Sequence, residues 1–253
     1  MSMNGNARDL DRRWFKRFGR TDDRARVRLF CWHHAGGTAA QYRTWPRLLP
    51  PDVEPIAVQL PGRADRFAEP VIDRMTLLVD EFAEVVEPAL DRPYALFGIS
   101  MGARVARAVA YELCERGLPP PRRLFVACDP APDTDRGNWP WEDRADGLTG
   151  YLRDMGGTPP EVLDQPDLLR ALLPPLRADL TVISTDDFRP DRPLDLPIVG
   201  FAGVDDPVGT PELMARWSAE TTAGFALHRL QCGHYLDADA EAQVIWTIVR
   251  ELL

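Results

Sequence analysis

The chain has 253 residues, of which 45% are hydrophobic, and a formal net charge of −9 at pH 7. That length suits one large α/β domain, and the acidic balance argues against general nucleic-acid binding. No window approaches the apolar length needed to cross a bilayer, and the N-terminus lacks the apolar core of a secretory signal. A cytoplasmic location is therefore expected.

Residues 1–26 are polar and charged, with Leu10, Trp14 and Phe18 at helical spacing. This N-terminal extension fits either a short amphipathic helix or a strand with a tail. Arg28 to Trp32 reads as a first core strand, Gln41 to Leu49 as a helix, and Glu54 to Leu60 as a second strand ended by Pro61-Gly62. Apolar residues Leu78, Phe82, Val85 and Val86 predict an amphipathic helix from Met75 to Leu90. A strand over 94–98 and a helix over 101–116 follow, the latter stopped by Gly117 and Pro119. Further on, the pattern predicts strands at 123–128, 197–202 and 225–231, with helices at 211–220 and 239–252. Strands alternating with helices imply a mostly parallel sheet covered on both faces.

The stretch between the strands at 123–128 and 197–202 interrupts this alternation. It contains Trp139, Trp141, Tyr151, paired prolines at 159–160 and 174–175, and a helical piece from Leu168 to Leu173. A structureless loop of that length would be improbable. A helical lid over about residues 135–185 is expected, above the sheet edge where open α/β folds place their sites. The whole chain, 1–253, reads as a single domain.

The most informative stretch is Gly98-Ile99-Ser100-Met101-Gly102, between an apolar strand and a helix. G-x-S-x-G in a strand–turn–helix context is a nucleophile elbow. The turn is tight enough that positions two before and two after the serine crowd each other, and glycine removes the clashing Cβ atoms. A serine nucleophile needs a base and an acid that orients the base. His234, in the loop after the last strand, is the best base, whereas His228 lies mid-strand and reads as structural. Three acids follow strands: Asp205, Asp206 and Asp129. Asp206, immediately before Pro207, is the first choice, and His234 keeps the chain order serine, acid, histidine.

An oxyanion hole needs two backbone N–H groups. Met101, after the serine, supplies one. The loop His33-His34-Ala35-Gly36-Gly37 supplies the other, with Ala35 the expected donor and Gly36 and Gly37 letting the backbone approach the substrate. Adjacent His33 and His34 point to opposite sides of an extended chain, so they predict no metal pair. Cys31, Cys114, Cys128 and Cys232 have no C-x-x-C spacing and read as buried thiols, although Cys232 near His234 is a rival nucleophile.

The segments Arg28 to Gly37, Gln59-Leu60-Pro61-Gly62-Arg63, Leu96 to Ala103, Arg177-Ala178-Asp179-Leu180 and Gly233-His234, in this order, carry a wider likeness. Together they resemble the type II thioesterases of polyketide and nonribosomal peptide synthases, which are free-standing α/β-hydrolases. That resemblance implies Ser100, Asp206 and His234 as the triad and Ala35 and Met101 as oxyanion donors. It also implies acyl groups on the phosphopantetheine arm of an acyl or peptidyl carrier protein, an editing role, and no metal or organic cofactor. The family usually has histidine at the position of Ile99 and proline at that of His33. Ile99 is therefore expected to reshape the wall of the acyl chamber.

Two rival functions share these residues: a general carboxylesterase acting on small oxyesters, and a catalytically silent module that docks a synthase. Neither membrane nor nucleic acid is an expected partner, and a monomer is expected. Carrier domains are often acidic, so docking on an acidic chain needs a local basic patch. Arg63, Arg66, Arg104 and Arg107 are the candidates.

Overall fold

The computed structural model describes residues 11–19, 25–133, 147–184 and 192–253. Its strands are β1 (Phe15–Lys16), β2 (Val27–Trp32), β3 (Val53–Val58), β4 (Tyr94–Ile99), β5 (Leu124–Ala127), β6 (Ile198–Gly203) and β7 (Phe225–Leu230). The helices are α1 (Trp45–Leu48), α2 (Met75–Val86), α3 (Met101–Glu115), α4 (Gly147–Met155), α5 (Pro160–Leu163), α6 (Pro166–Ser184), α7 (Pro211–Ala215) and α8 (Ala238–Leu252).

The strands form one sheet in the order β1-β3-β2-β4-β5-β6-β7. Every pairing is parallel except that of β1 with β3. The central strand, β4, is therefore covered on both faces, and all six of its residues are buried. This explains why its sequence is a continuous apolar run rather than an alternating one. Two apolar clusters flank the sheet. One unites Phe30, Trp32, Phe82 and Leu96 with α2 and α3. The other unites Tyr42, Trp45, Phe97, Phe125 and Phe201 with α8.

Both alternatives for the N-terminal segment are partly realised. Residues 11–14 are helical and run directly into β1. Trp14 and Phe15 are buried, and Phe15 packs edge-on against Phe30 and Phe82. Leu10 lies outside the described residues.

Proline accounts for the boundaries that the apolar pattern misplaced. The expected helix over 41–49 is a 3-10 turn, Ala39–Tyr42, followed by the short α1. Pro46 has no N–H to donate and is best accommodated in a first helical turn, and α1 begins just before it. Pro88 likewise ends α2 at Val86, with a 3-10 turn over Glu87–Ala89. The expected helix over 211–220 passes into a 3-10 turn at Arg216.

Of the expected lid, residues 147–184 hold the three helices α4, α5 and α6; Trp139 and Trp141 lie outside the described residues. Of the two proline pairs, Pro159-Pro160 stands at the start of α5, whereas Pro174-Pro175 breaks no helix. α6 runs for 19 residues straight through Pro174 and Pro175. Its C-terminal half buries Leu176, Leu180, Val182 and Ile183, and that burial offsets the hydrogen bonds the prolines cannot make. Among the described residues, no helix is long and apolar enough to cross a membrane.

Candidate active site

The loop after β4 turns directly into α3, and Ser100 stands at its apex with φ 53° and ψ −124°. A non-glycine residue rarely occupies that region, and it persists only where its surroundings enforce it. Here they do. Ser100 N donates to Ala127 O at 2.8 Å, fixing the turn to β5. A Cβ on Gly98 would lie 2.0 Å from Gly102 O, and one on Gly102 would lie 2.3 Å from Trp32 O. The crowding read from G-x-S-x-G is thus physical, and it also brings the end of β2 against the first turn of α3.

His234 and Asp206 come from the loops after β7 and β6. Ser100 Oγ lies 3.0 Å from His234 Nε2. His234 Nδ1 lies 3.0 Å from Asp206 Oδ1 and 3.2 Å from Oδ2. Asp206 Oδ1 also accepts from Val208 N at 2.8 Å, so the carboxylate is held from a second side. Both Asp206 and His234 are buried, which strengthens their interaction relative to water.

Asp129, the rival acid, faces elsewhere. Its carboxylate accepts from Arg104 Nε at 2.9 Å, and its main-chain carbonyl accepts from Trp217 Nε1 at 2.8 Å. Asp205 is exposed, and its N–H donates to Cys232 O at 3.1 Å. Cys232 is buried, and burial pushes its thiol up to about 11, away from the thiolate a nucleophile needs. His228 is half-buried on β7 and stacks on Phe201, as its mid-strand position suggested.

The loop 33–37 starts beside α3. Gly37 N donates to His34 O at 2.9 Å, and Gly36 has φ +74°, which makes a type II turn with glycine where a left-handed residue is required. Ala35 packs against the first apolar cluster, as do Tyr151 and Leu173 from the helical segment. The Gly36 N–H donates to Asp179 Oδ2 at 2.7 Å. His33 Nδ1 donates to His34 O at 2.8 Å. Burial, assisted by the Arg63 charge, lowers His33 to about 3, so it is neutral. Among the described residues, no group of acidic, histidine or cysteine side chains is arranged to hold a metal ion.

Two expectations are corrected here. Ile99 is 1% exposed and belongs to the cluster under α8, whereas Met101 and the helical-segment residues Leu148 and Leu176 belong to the opposite one. Alternation along β4 turns Ile99 away from the lid side, so it does not shape a chamber there. The arginine patch is also absent as a surface. Arg63, Arg66, Arg104 and Arg107 are all buried, in ion pairs with Asp179, Glu69, Asp129 and Glu220. Each charge is neutralised inside the molecule and is not offered to a partner.

Sequence reasoning quoted Asp179 within a motif but gave it no role. A signal was available: Pro175, Leu176, Val182 and Ile183, one turn either side of it, are all apolar. A carboxylate on the apolar face of a helix must find a buried partner.

A mostly parallel sheet with Ser100 on the elbow after its central strand, and His234 and Asp206 on later loops, defines an α/β-hydrolase. The thioesterase domain family matches residues 27–252, and the chain belongs to that family. The linear gramicidin dehydrogenase LgrE of Brevibacillus parabrevis is 36% identical, over 87% of this chain and 86% of that one. RedJ, a thioesterase from the prodiginine biosynthetic pathway in Streptomyces coelicolor, has a similar solved structure. It superposes with a TM-score of 0.84 at 35% identity, covering 90% of this chain and 86% of RedJ. The type II thioesterase BorB from the borrelidin biosynthetic cluster gives 0.85 at 32% identity, over 95% and 98% of the two chains.

Proposed function

We propose that this protein hydrolyses acyl thioesters carried on the phosphopantetheine arms of carrier proteins, as an editing thioesterase of a polyketide or nonribosomal peptide pathway. The observation that carries the reading is the continuous relay from Ser100 Oγ through His234 to Asp206, with both links at 3.0 Å. Its relatives RedJ and BorB, named as thioesterases of biosynthetic pathways, supply the substrate class.

In this mechanism Ser100 Oγ attacks the thioester carbonyl while His234 Nε2 takes its proton. Asp206 holds the Nδ1–H tautomer and stabilises the imidazolium that forms. Ala35 N–H and Met101 N–H receive the tetrahedral oxyanion. The C–S bond breaks, and His234 returns the proton to the departing pantetheine sulfur. Water, activated by the same imidazole, then cleaves the acyl-Ser100 ester and frees the acid and the serine. The helices at 147–184 act as the lid over this site, and the expected setting is the cytoplasm beside the synthase.

A dehydrogenase reading, suggested by the name of LgrE, has no support in the sequence. No two glycines stand two residues apart, so the G-x-G-x-x-G dinucleotide fingerprint is missing. The carboxylesterase alternative shares every group named above. Hydrolysis of a panel of acyl groups, each presented on a carrier protein and as a simple oxyester, separates the two. Preference for the carrier-bound thioester, abolished in Ser100→Ala, supports the proposal. Equal or better oxyester turnover overturns it.

A further inference from the structure

Asp179 is a fully buried carboxylate on α6 that belongs to none of the groups in the proposed reaction. Both of its oxygens are occupied. Oδ2 accepts from Gly36 N at 2.7 Å and from Arg63 Nη1 at 2.5 Å, and Oδ1 accepts from Arg63 Nη2 at 2.8 Å. Arg63 Nη1 also reaches Gly37 O at 3.3 Å. A paired guanidinium and carboxylate therefore grip two successive residues of the oxyanion loop.

The point of contact matters because of the turn. In the type II turn over His34–Gly37, the peptide joining Ala35 to Gly36 has an alternative, type I, orientation that swaps its C=O and N–H sides. Here that peptide is held at both ends. His34 Nδ1 donates to Ala35 O at 2.9 Å, and Gly36 N–H donates to Asp179. A flip would aim the Ala35 oxygen at the Asp179 carboxylate and break both hydrogen bonds. Held at Gly36 N–H by Asp179 and at Gly37 O by Arg63, the turn is also fixed in place as a unit, and with it the position of the Ala35 N–H one peptide upstream.

We propose that the buried Arg63–Asp179 pair is a positioning device for catalysis: it locks the His34–Gly37 turn in the state that aims Ala35 N–H at the developing oxyanion. The inference rests on Ser100 being the nucleophile of the proposed hydrolysis. It gives the pair a role beyond holding the fold. A buried ion pair kept only for stability can often be exchanged for apolar residues of similar volume without loss.

That exchange is the test. Asp179→Ala alone would strand the Arg63 charge and risk unfolding, so the decisive variant is Arg63→Met/Asp179→Leu. Three quantities are measured: thermal melting, kcat and KM on an acyl-pantetheine thioester, and affinity for a trifluoromethyl ketone analogue, which forms a tetrahedral oxyanion on the serine. The expected result is near-normal melting, little change in KM, and a fall in kcat of about 10-fold to 100-fold. That is at or below the roughly 100-fold to 1,000-fold loss seen when an oxyanion donor is deleted outright. Analogue affinity should fall by the same factor as kcat/KM. Unchanged kcat in a folded double variant overturns the proposal. So does failure of the double variant to fold, or a rise in KM without a fall in kcat, because either makes the pair structural. If Ser100→Ala retains activity, the hydrolase reading itself fails, and that result is distinct from all of these.

Discussion

Arg104 Nε meets Asp129 Oδ2 at 2.9 Å, with both side chains buried, and this contact favours Asp206 over Asp129 as the proposed acid. A carboxylate committed to a guanidinium has its charge spent on that partner. Among the described residues no guanidinium pairs with Asp206, which reaches His234 instead.

The two acids should therefore fail in different ways. Asp206→Asn should lower kcat by about 10⁴-fold with little loss of stability, because the histidine loses its tautomer and the charge that steadies the imidazolium. Asp129→Asn should retain most activity per folded molecule. Its cost should appear in unfolding, up to about 3–5 kcal/mol, the range for breaking a buried pair from one side. Urea denaturation and steady-state kinetics on both variants check this. A large kcat loss confined to Asp129→Asn would reverse the assignment.

The elbow glycines should tolerate no side chain. Gly98→Ala places a Cβ 2.0 Å from Gly102 O, and Gly102→Ala places one 2.3 Å from Trp32 O. In both cases the obstacle is backbone, which cannot rotate away. Both variants should lose activity together with their native melting transition. Gly117→Ala is the contrast. Its φ is +70° but nothing lies within 4 Å, so only the left-handed backbone cost of about 1–2 kcal/mol applies. Activity in Gly117→Ala should match the parent at a lower melting temperature.

The strands and the elbow were legible because each rests on local pattern. Apolar runs mark buried parallel strands, and glycine on both sides of Ser100 reports a steric need that five residues alone express. What the pattern did not carry is partner choice. Asp129 and Asp206 look alike in sequence, since both follow a strand and precede proline. Only the side chain opposite separates them. Arg63, Arg104 and Arg107 failed for the same reason: charge is visible in a sequence, but neutralisation by a carboxylate far along the chain, as for Arg107 and Glu220, is not. The continuous α6 was hidden because Pro174 and Pro175 signal a break that tertiary burial overrides.

The buried side chains His33 and Cys232 make separate pH predictions. His33 falls from 6.5 to about 3 on folding, through burial and the nearby Arg63 charge. A depressed value stabilises the fold above pH 6.5, and the contribution is lost as pH falls toward about 3. Melting temperature should decline over that window, and less steeply in His33→Asn. Cys232, raised to about 11, should react slowly with iodoacetamide at pH 8 in the native state and rapidly once unfolded. Cys232→Ser should keep its activity. Fast native labelling that abolishes hydrolysis would restore the cysteine as a rival nucleophile.

Gly157 and Tyr235 provide the test of the lid. Gly157 lies between α4 and α5, and a Cβ there would come within 2.3 Å of the Tyr235 ring. That ring follows His234 in the chain, meets the His234 imidazole edge-on at 5.3 Å, and meets His34 at 5.0 Å. The helical segment thus closes directly onto the loop that carries the proposed base. Gly157→Ala should push the linker off the ring or turn the ring toward the imidazole. In either case kcat/KM for bulky acyl thioesters should fall, while labelling of Ser100 by a small phosphonate should be largely spared. Removing the ring removes the obstacle, so Gly157→Ala should have little further effect in a Tyr235→Ala background. Directly touching residues typically couple by about 0.5–3 kcal/mol, and a double-mutant cycle on kcat/KM would measure that term. Additive effects, or equal losses for bulky and small reagents, would show that this contact does not govern acyl access.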